Sequence, residues 1–178
     1  STAVISKLST AQLAALTTDQ LPKMTTAQVA SLTTAQLASL SVADLNAFTA
    51  GQYAALSSTQ IAGLTTTQVA GLTTEDAAAL TSTAIKGLTT AQMAAFENAD
   101  LAALSVAVIK ALSTAQLAAL STAQLPALTT AQVASLTTAQ LVSLTTGDLN
   151  AFGTAQFGAL TSTQVASLTT AQIAALET

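Results

Sequence analysis

Hydrophobic residues recur along this chain with a period of eight. From Leu8 to Ala175 the sequence divides into 21 octads of the form L-T-T-A-Q-L-A-A, whose positions we number from the leading residue. Positions 1 and 6 are apolar in all 21 octads, position 2 is Ser or Thr in 19, and position 5 is Gln in 15. Such a short, unbroken period is typical of repeat architectures. We expect positions 1 and 6 to form the core.

The polar positions predict a helix start in every octad. A hydroxyl at position 2 suits a helix N-cap, and Gln three residues later completes an S/T-x-x-Q capping box. The apolar residues at positions 1 and 6 then fall where they form a hydrophobic staple. Because the next start arrives eight residues later, each helix can hold only about one and a half turns. The pattern therefore predicts an all-α fold, an α-solenoid of very short capped helices with one helix per octapeptide repeat.

Two other architectures compete with this one. In a β-solenoid the Thr-Thr pairs would be strand residues, but Ala, Leu and Gln dominate and strict alternation is missing. In one continuous helix the apolar stripe would drift by about 80° per octad. Pro22 and Pro126, both at position 7, suit the end of a short helix better than the interior of a long one. Four glycines at positions 7 and 8 are expected at helix ends as well: Gly63, Gly71, Gly87 and Gly158. The β-solenoid remains the alternative.

A longer repeat overlies the octads. A shift of 104 residues, or 13 octads, places residues 1–74 on residues 105–178 with 51 of 74 positions identical. Unusual residues match too, since Pro22 falls on Pro126 and Phe48 on Phe152. We therefore expect a single continuous array over residues 1–178 without a linker. Neither end has a repeat with a polar outer face, which a free-standing solenoid needs. We expect the ends to meet further repeats or another copy of the chain.

Composition narrows the function. The chain contains no Cys and no His, which removes the commonest nucleophile–base pairs and metal ligands, and no cofactor motif occurs. We predict no catalytic, cofactor-binding or metal-binding residues, no cofactor and no enzyme activity. Four lysines and a net charge of −4 give no basic surface for nucleic acid. Mean hydropathy is +0.58, but Gln recurs too often among the apolar residues for a membrane span.

Three groups of residues are candidate sites. Aspartate replaces Gln at position 5 in four octads, and we interpret it as a capping residue at Asp44, Asp76, Asp100 and Asp148. The alternative is a calcium site that uses Glu75, Asp76, Glu97 and Asp100. Two aromatic pairs occupy positions 1 and 6, where we expect an enlarged core and keep a ligand platform as the alternative: Phe48 with Tyr53 and Phe152 with Phe157. Threonine at position 3 remains free for a carbohydrate- or ice-binding face.

The L-T-T-A-Q-[LVI]-A-[AS] octads, such as residues 128–135 and 168–175, resemble alanine- and threonine-rich tandem repeats in very large secreted or surface proteins of bacteria. The resemblance covers the whole chain and carries no active site. It implies an extracellular or cell-surface, adhesin-like spacer, stalk or fibre. We expect a structural protein that forms a filament or stalk segment and self-associates through its ends or lateral faces. The alternative is a binding module for carbohydrate, ice or a protein partner.

Overall fold

In the computed structural model, which describes residues 2–176, every octad forms one short helix. Nineteen α-helices of four to six residues and three 3-10 helices follow one another, and none of these residues lies in a strand. The predicted α-solenoid is confirmed and the β-solenoid is not supported. The elements are α1 (Thr2–Ile5), α2 (Thr10–Ala14), η1 (Leu21–Lys23), α3 (Thr26–Ala30), α4 (Thr34–Ser39), α5 (Val42–Leu45), α6 (Ala50–Ala54), α7 (Ser58–Ala62), α8 (Thr66–Ala70), α9 (Thr74–Ala79), η2 (Ala84–Gly87), α10 (Thr90–Ala94), α11 (Asn98–Ala103), α12 (Val106–Ala111), α13 (Thr114–Leu117), η3 (Leu125–Ala127), α14 (Thr130–Ser135), α15 (Thr138–Ser143), α16 (Thr146–Asn150), α17 (Thr154–Gly158), α18 (Ser162–Ser167) and α19 (Thr170–Ala174).

The helices begin as the sequence predicts. At the start of α4, the Thr33 hydroxyl accepts the backbone N–H of Gln36 at 3.2 Å, and the Gln36 side-chain Oε1 accepts the N–H of Thr33 at 2.8 Å. This reciprocal pair satisfies two of the donors that a helix start leaves free. The same capping box recurs at most octads, so the local sequence sets where each helix begins.

Two extended residues join each helix to the next. Leu40 at position 1 has φ −71° and ψ 144°, and Ser41 at position 2 has φ −70° and ψ 165°. No residue among those described has positive φ. A corner of this kind needs no glycine, because ordinary L-residues adopt these angles freely. The four glycines do lie at helix ends, as predicted: Gly63 and Gly71 are C-cap residues, and Gly87 and Gly158 are the last residues of η2 and α17. Because none of them has positive φ, conformational freedom is not what requires glycine there.

Three octads make one turn of the solenoid. Each helix packs on the helix three octads before it and on the one three octads after it, as α4 does on α2 and α7. One turn thus takes about 24 residues, and the solenoid has three sides with one octad per side. No helix among the described residues is both long and apolar enough to cross a membrane.

Positions 1 and 6 fill the interior, as predicted. Leu37 and Leu101 at position 6 are fully buried, and Leu40 and Leu104 at position 1 are 3% exposed. The two aromatic pairs belong to this core: Phe48 with Tyr53 and Phe152 with Phe157 each meet edge to face with ring centroids 6.1 Å apart. Phe48, Tyr53 and Phe152 are buried, so these rings offer no open platform to a ligand.

Position 8 is where successive turns approach each other most closely. A Cβ built on Gly63 would lie 2.6 Å from the Thr34 Cβ, and one on Gly71 would lie 2.5 Å from a Val42 methyl carbon. A Cβ on Gly87 would collide with the carbonyl oxygen of Ser58. Packing therefore favours glycine at these three positions, because the residue 29 positions earlier occupies the space that a Cβ would need.

The two prolines change the helix type. Pro22 lies in η1 and Pro126 in η3, and both follow the first residue of a three-residue 3-10 helix. Proline has no N–H and cannot bond to the carbonyl four residues before it. The octad therefore lacks that bond, and the residue after the proline bonds over a shorter range, as the Lys23 N–H does to the Gln20 carbonyl at 3.1 Å.

We expect Gly87→Ala to lower the free energy of unfolding by about 1–3 kcal/mol, because the added methyl overlaps the backbone of the preceding turn. Gly158→Ala is the matched control, since nothing lies within 4 Å of its added Cβ, and a helical Gly→Ala change is neutral or stabilising. Urea unfolding followed by circular dichroism compares the two. Equal effects of the two substitutions would contradict a close approach at position 8.

Candidate assembly interface

The glutamine at position 5 has a second role besides capping. In α7, the Gln60 Oε1 accepts the Ser57 N–H at 2.9 Å, within its own octad. The Nε2 of the same side chain points to the preceding turn and donates to the Val29 carbonyl at 3.0 Å and the Leu32 carbonyl at 2.9 Å. One side chain thus fixes a helix start and joins two turns of the solenoid.

This arrangement recurs along the chain, and we call it the glutamine ladder. Each member donates from Nε2 to the carbonyls 28 and 31 residues earlier, and each is at most 6% exposed. Its twelve members are Gln36, Gln52, Gln60, Gln68, Gln92, Gln116, Gln124, Gln132, Gln140, Gln156, Gln164 and Gln172. Buried amides are stable in a protein interior when their donors are satisfied, as both Nε2 hydrogens are here.

The carbonyl at position 1 depends on the ladder. It lies in the extended corner between two helices, outside the intrahelical bonds. The Leu32 carbonyl, for example, accepts the Gln60 Nε2 at 2.9 Å, and the Leu40 carbonyl accepts the Gln68 Nε2 at 2.7 Å. A buried carbonyl without a donor costs about 1–3 kcal/mol. The ladder therefore supports the same corners that make the octad only eight residues long.

Six octads lack the glutamine: those with Asp44, Asp76, Ala84, Asp100, Val108 and Asp148 at position 5. Asp44, Asp76 and Asp148 keep the capping role, because one carboxylate oxygen accepts the backbone N–H of the N-cap residue at 3.0, 3.3 and 2.9 Å, respectively. The same oxygen also accepts the N-cap hydroxyl at 2.7 Å. A carboxylate has no amide hydrogens to donate to the preceding turn. Four of the six fall between Asp76 and Val108, with only Gln92 among them, and we call this segment the ladder gap.

Asp100 departs from its predicted role. The N-cap of its helix, α11, is Glu97, which makes no side-chain cap bond, and the Oδ2 of Asp100 is buried without a hydrogen-bond partner. The capping prediction is wrong here because Glu97 brings no hydroxyl to the carboxylate. Burial raises the pKa of Asp100 to about 6, with smaller contributions from the charges of Glu97 and Asp76.

Burial also shifts the pKa of Asp76, in the ladder gap, and of Tyr53, in the turn before it. Burial raises the pKa of Asp76, while its hydrogen bonds from Thr73 act in the opposite direction. The Tyr53 hydroxyl is buried without a partner, and burial together with the Asp76 charge raises the pKa of that hydroxyl above its usual range. Within residues 2–176, no three potential metal-ligating side chains come together, so the geometry gives the calcium hypothesis no support.

The ladder is open at both ends of the described solenoid. Gln12 and Gln28 in the first turn keep their capping bonds, at 2.9 and 2.7 Å, as does Gln20 at 3.0 Å. Their Nε2 groups have no preceding turn to bond within residues 2–176. At the other end, the carbonyls that a further turn would use belong to the last octads. The two ends are thus of opposite hydrogen-bonding character, with donors at one and acceptors at the other. Sequence reasoning found the capping role of position 5 but missed this one.

One family model, described as the ALTTAQ repeat, matches the chain five times, over residues 1–26, 41–74, 93–130, 116–146 and 144–178. These matches cover most of the chain and agree with the resemblance seen in the octads. No curated protein and no solved structure matches the chain.

Gln60→Glu tests the contact between turns. The variant keeps a capping oxygen but places a carboxylate against the Val29 and Leu32 carbonyls, so we expect the free energy of unfolding to fall by about 2–4 kcal/mol at pH 7. Gln12→Glu is the control, because Gln12 is exposed and only caps its helix. Urea unfolding would compare them, and a loss of similar size in both variants would show that the ladder adds nothing to capping.

Asp100 makes stability depend on pH. Its folded-state pKa of about 6 lies above the ordinary value of about 4. The fold therefore favours the protonated acid, and this stabilisation is complete below about pH 4 and lost as the pH rises through about 6. We expect the thermal unfolding midpoint to fall between pH 4 and pH 7.

Asp100→Gln removes this titration and supplies an amide that can donate to the Val69 and Leu72 carbonyls, 31 and 28 residues earlier. We expect it to raise the free energy of unfolding by about 1–3 kcal/mol at pH 7 and to flatten the pH profile. Asp19→Gln, at an exposed position 4, should change neither. An unchanged pH profile in the Asp100 variant would contradict the assignment.

Proposed function

Because the chain belongs to the ALTTAQ repeat family, we propose that it is a structural repeat protein whose solenoid forms a segment of a fibre, filament or surface stalk. We propose an extracellular or cell-surface location, which the resemblance of the octads to tandem repeats of large secreted or surface proteins of bacteria implies. Every octad adds the same helix and the same corner, so length is the property that repetition increases. The family carries no catalytic assignment, which is consistent with a protein that is not an enzyme.

The observation that carries the proposal is the complementarity of the two ends. Inside the solenoid, a glutamine always donates to the carbonyls 28 and 31 residues earlier. A second copy that continues the octads after residue 176 would place its first-turn glutamines in that same relation. The facing groups would then be Gln12 with the Phe157 and Leu160 carbonyls, Gln20 with those of Val165 and Leu168, and Gln28 with those of Ile173 and Leu176.

Apolar exposure at the acceptor end supports the same contact. Val165 and Ile173 occupy position 6, which is fully buried in the interior, yet they are 44% and 46% exposed. Leu37, at the same position in an interior octad, is completely buried. A further turn would cover these side chains, and the burial of apolar surface would add to the hydrogen bonds. Further repeats of one chain and the first turn of another copy would meet this end in the same way.

The alternative function is the binding of carbohydrate, ice or a protein by the exposed hydroxyls at position 3. It has less support. A depression of about 430 Å³ has Thr137, Thr138, Thr161 and Thr163 on its wall, but it is open and shallow. The hydroxyls at position 2 are already engaged in helix capping, so only one threonine of each pair faces water freely.

Negative-stain electron microscopy of the purified protein over a concentration series tests end-to-end assembly. We expect fibres that lengthen with concentration. The variant Gln12→Glu/Gln20→Glu/Gln28→Glu places carboxylates against the carbonyls of the next copy, so its particles should stay short.

The control for this variant is Ala14→Glu/Ala30→Glu/Ala38→Glu. It adds the same charge at three exposed residues that occupy position 7 of their octads, on the lateral surface of the solenoid. It should still form fibres. Short particles of the unaltered protein at every concentration would contradict end-to-end assembly of this chain. Fibres that persist in the glutamine variant would show that the first-turn glutamines do not form the contact between copies.

A further inference from the structure

Two sides of the solenoid each carry a pair of exposed side chains of one charge. Lys86 in η2 and Lys110 in α12 are exposed, occupy the same position 7, and lie on elements that pack on each other in successive turns. We call the side of the solenoid that they mark the basic side. The seven octads of this side, which begin at residues 8, 32, 56, 80, 104, 128 and 152, contain no Asp or Glu. These two lysines therefore have no carboxylate beside them on their own side.

A neighbouring side carries the opposite charge. Glu75 in α9 and Glu97 at the N-cap of α11 are exposed, and α9 and α11 pack on each other in successive turns. We call the side that they mark the acidic side. Its full octads, which begin at residues 24, 48, 72, 96, 120, 144 and 168, contain no lysine. Lys7 lies before the first of them at the end of this side, because α1 packs on α3. The buried carboxyls of Asp76 and Asp100 lie under the same surface.

The lysine pair and the glutamate pair match in their spacing and in their position along the solenoid axis. Each pair spans one turn, and packed helices are separated by about 8–10 Å. The octad of Glu75 immediately precedes that of Lys86, and the octad of Glu97 immediately precedes that of Lys110. Each glutamate therefore lies in the same turn of the solenoid as one lysine. Two copies placed side by side in the same direction, without an axial shift, bring both glutamates of one to the level of both lysines of the other.

We infer that the basic side is a docking surface for the acidic side of a second copy of this chain, so that solenoids associate laterally, in parallel and in register. This inference rests on the proposed structural function and names its lateral contact. The contact is heterologous, because one copy uses its basic side and the other its acidic side. Each copy keeps one free side, so the association remains open to further copies and forms bundles or sheets.

The rest of the two sides permits close approach. Outside the charged positions, the exposed residues are mostly alanine, serine and threonine, whose short side chains leave the helices near the surface. Individual surface ion pairs are weak and are screened by salt. Several weak ion pairs along one solenoid can still hold two copies together, because each ion pair that forms keeps the remaining charged groups at high effective concentration. Lateral association should therefore depend on salt, unlike end-to-end contacts made by amides and apolar side chains.

Small-angle X-ray scattering tests the inference, because the cross-sectional radius reports lateral association and the particle length reports end-to-end assembly. At about 20 mM salt we expect the cross-section of the protein to grow with concentration, and at about 500 mM salt we expect single-solenoid width. A constant cross-section at low salt would overturn the lateral contact, whatever the particle length. Growth in length without growth in width would support end-to-end assembly and overturn lateral association. Growth in width without growth in length would support lateral association and contradict end-to-end assembly.

Charge reversal identifies the surfaces. Lys86→Glu/Lys110→Glu makes both sides acidic, and Glu75→Lys/Glu97→Lys makes both basic, so each variant alone should keep single-solenoid width. An equimolar mixture of the two should recover the wide cross-section, since every contact then joins opposite charges. Lys7→Glu/Lys23→Glu is the matched control, because it changes the net charge equally on exposed lysines of the first turns and should still widen. Failure of the mixture to recover, or loss of width in the control, would overturn the assignment.

Discussion

The hydrogen bonds from each position 5 amide to the carbonyls of the preceding turn are what the rest of this structure depends on. An eight-residue unit has room for a helix of four to six residues and a corner of two extended ones. The corner leaves the carbonyl at position 1 without a helical N–H, and a solenoid buries that carbonyl between turns. Gln at position 5 resolves the problem with one side chain, because its oxygen caps the helix while its nitrogen pairs the carbonyl. A shorter carboxylate can perform only the first task.

Close packing between turns follows from the same geometry. The corners use only extended angles, so glycine is not needed to turn the chain, and small residues appear at position 8 for another reason. There the helix of one turn lies against position 3 of the turn before, closely enough that Gly63 and Gly87 have no space for a methyl group. The most extensive helix packing joins α7 and η2, where Ala84 replaces the ladder glutamine. Direct contact between turns takes the place of the amide in that octad.

The ladder gap brings together the least regular features of the chain. It contains Asp100, whose Oδ2 is buried without a hydrogen-bond partner. The lysine pair and the glutamate pair that mark the basic and acidic sides also lie within or beside it. The buried carboxylates weaken the interior at pH 7, while the charges on the surface give two sides opposite sign. Uniform octads would provide length alone. The irregular octads of the ladder gap add the four charged side chains by which we propose that solenoids associate laterally.

The helix starts, the capping boxes, the apolar core positions and the number of helices per octad were all predictable from sequence, because each depends on residues no more than five apart. The tertiary structure alone decided that three octads make a turn, that the Gln36 amide reaches Ile5 and Leu8, and that Gly87 lies against Ser58. These contacts join residues 28 to 31 positions apart, and a strict period of eight is compatible with several numbers of octads per turn. The same limit explains what the sequence did not reveal. The position of Gly63 at a helix end was predictable, but its close approach to Thr34 was not. The burial of the Asp100 Oδ2 without a partner likewise appears only in the folded chain.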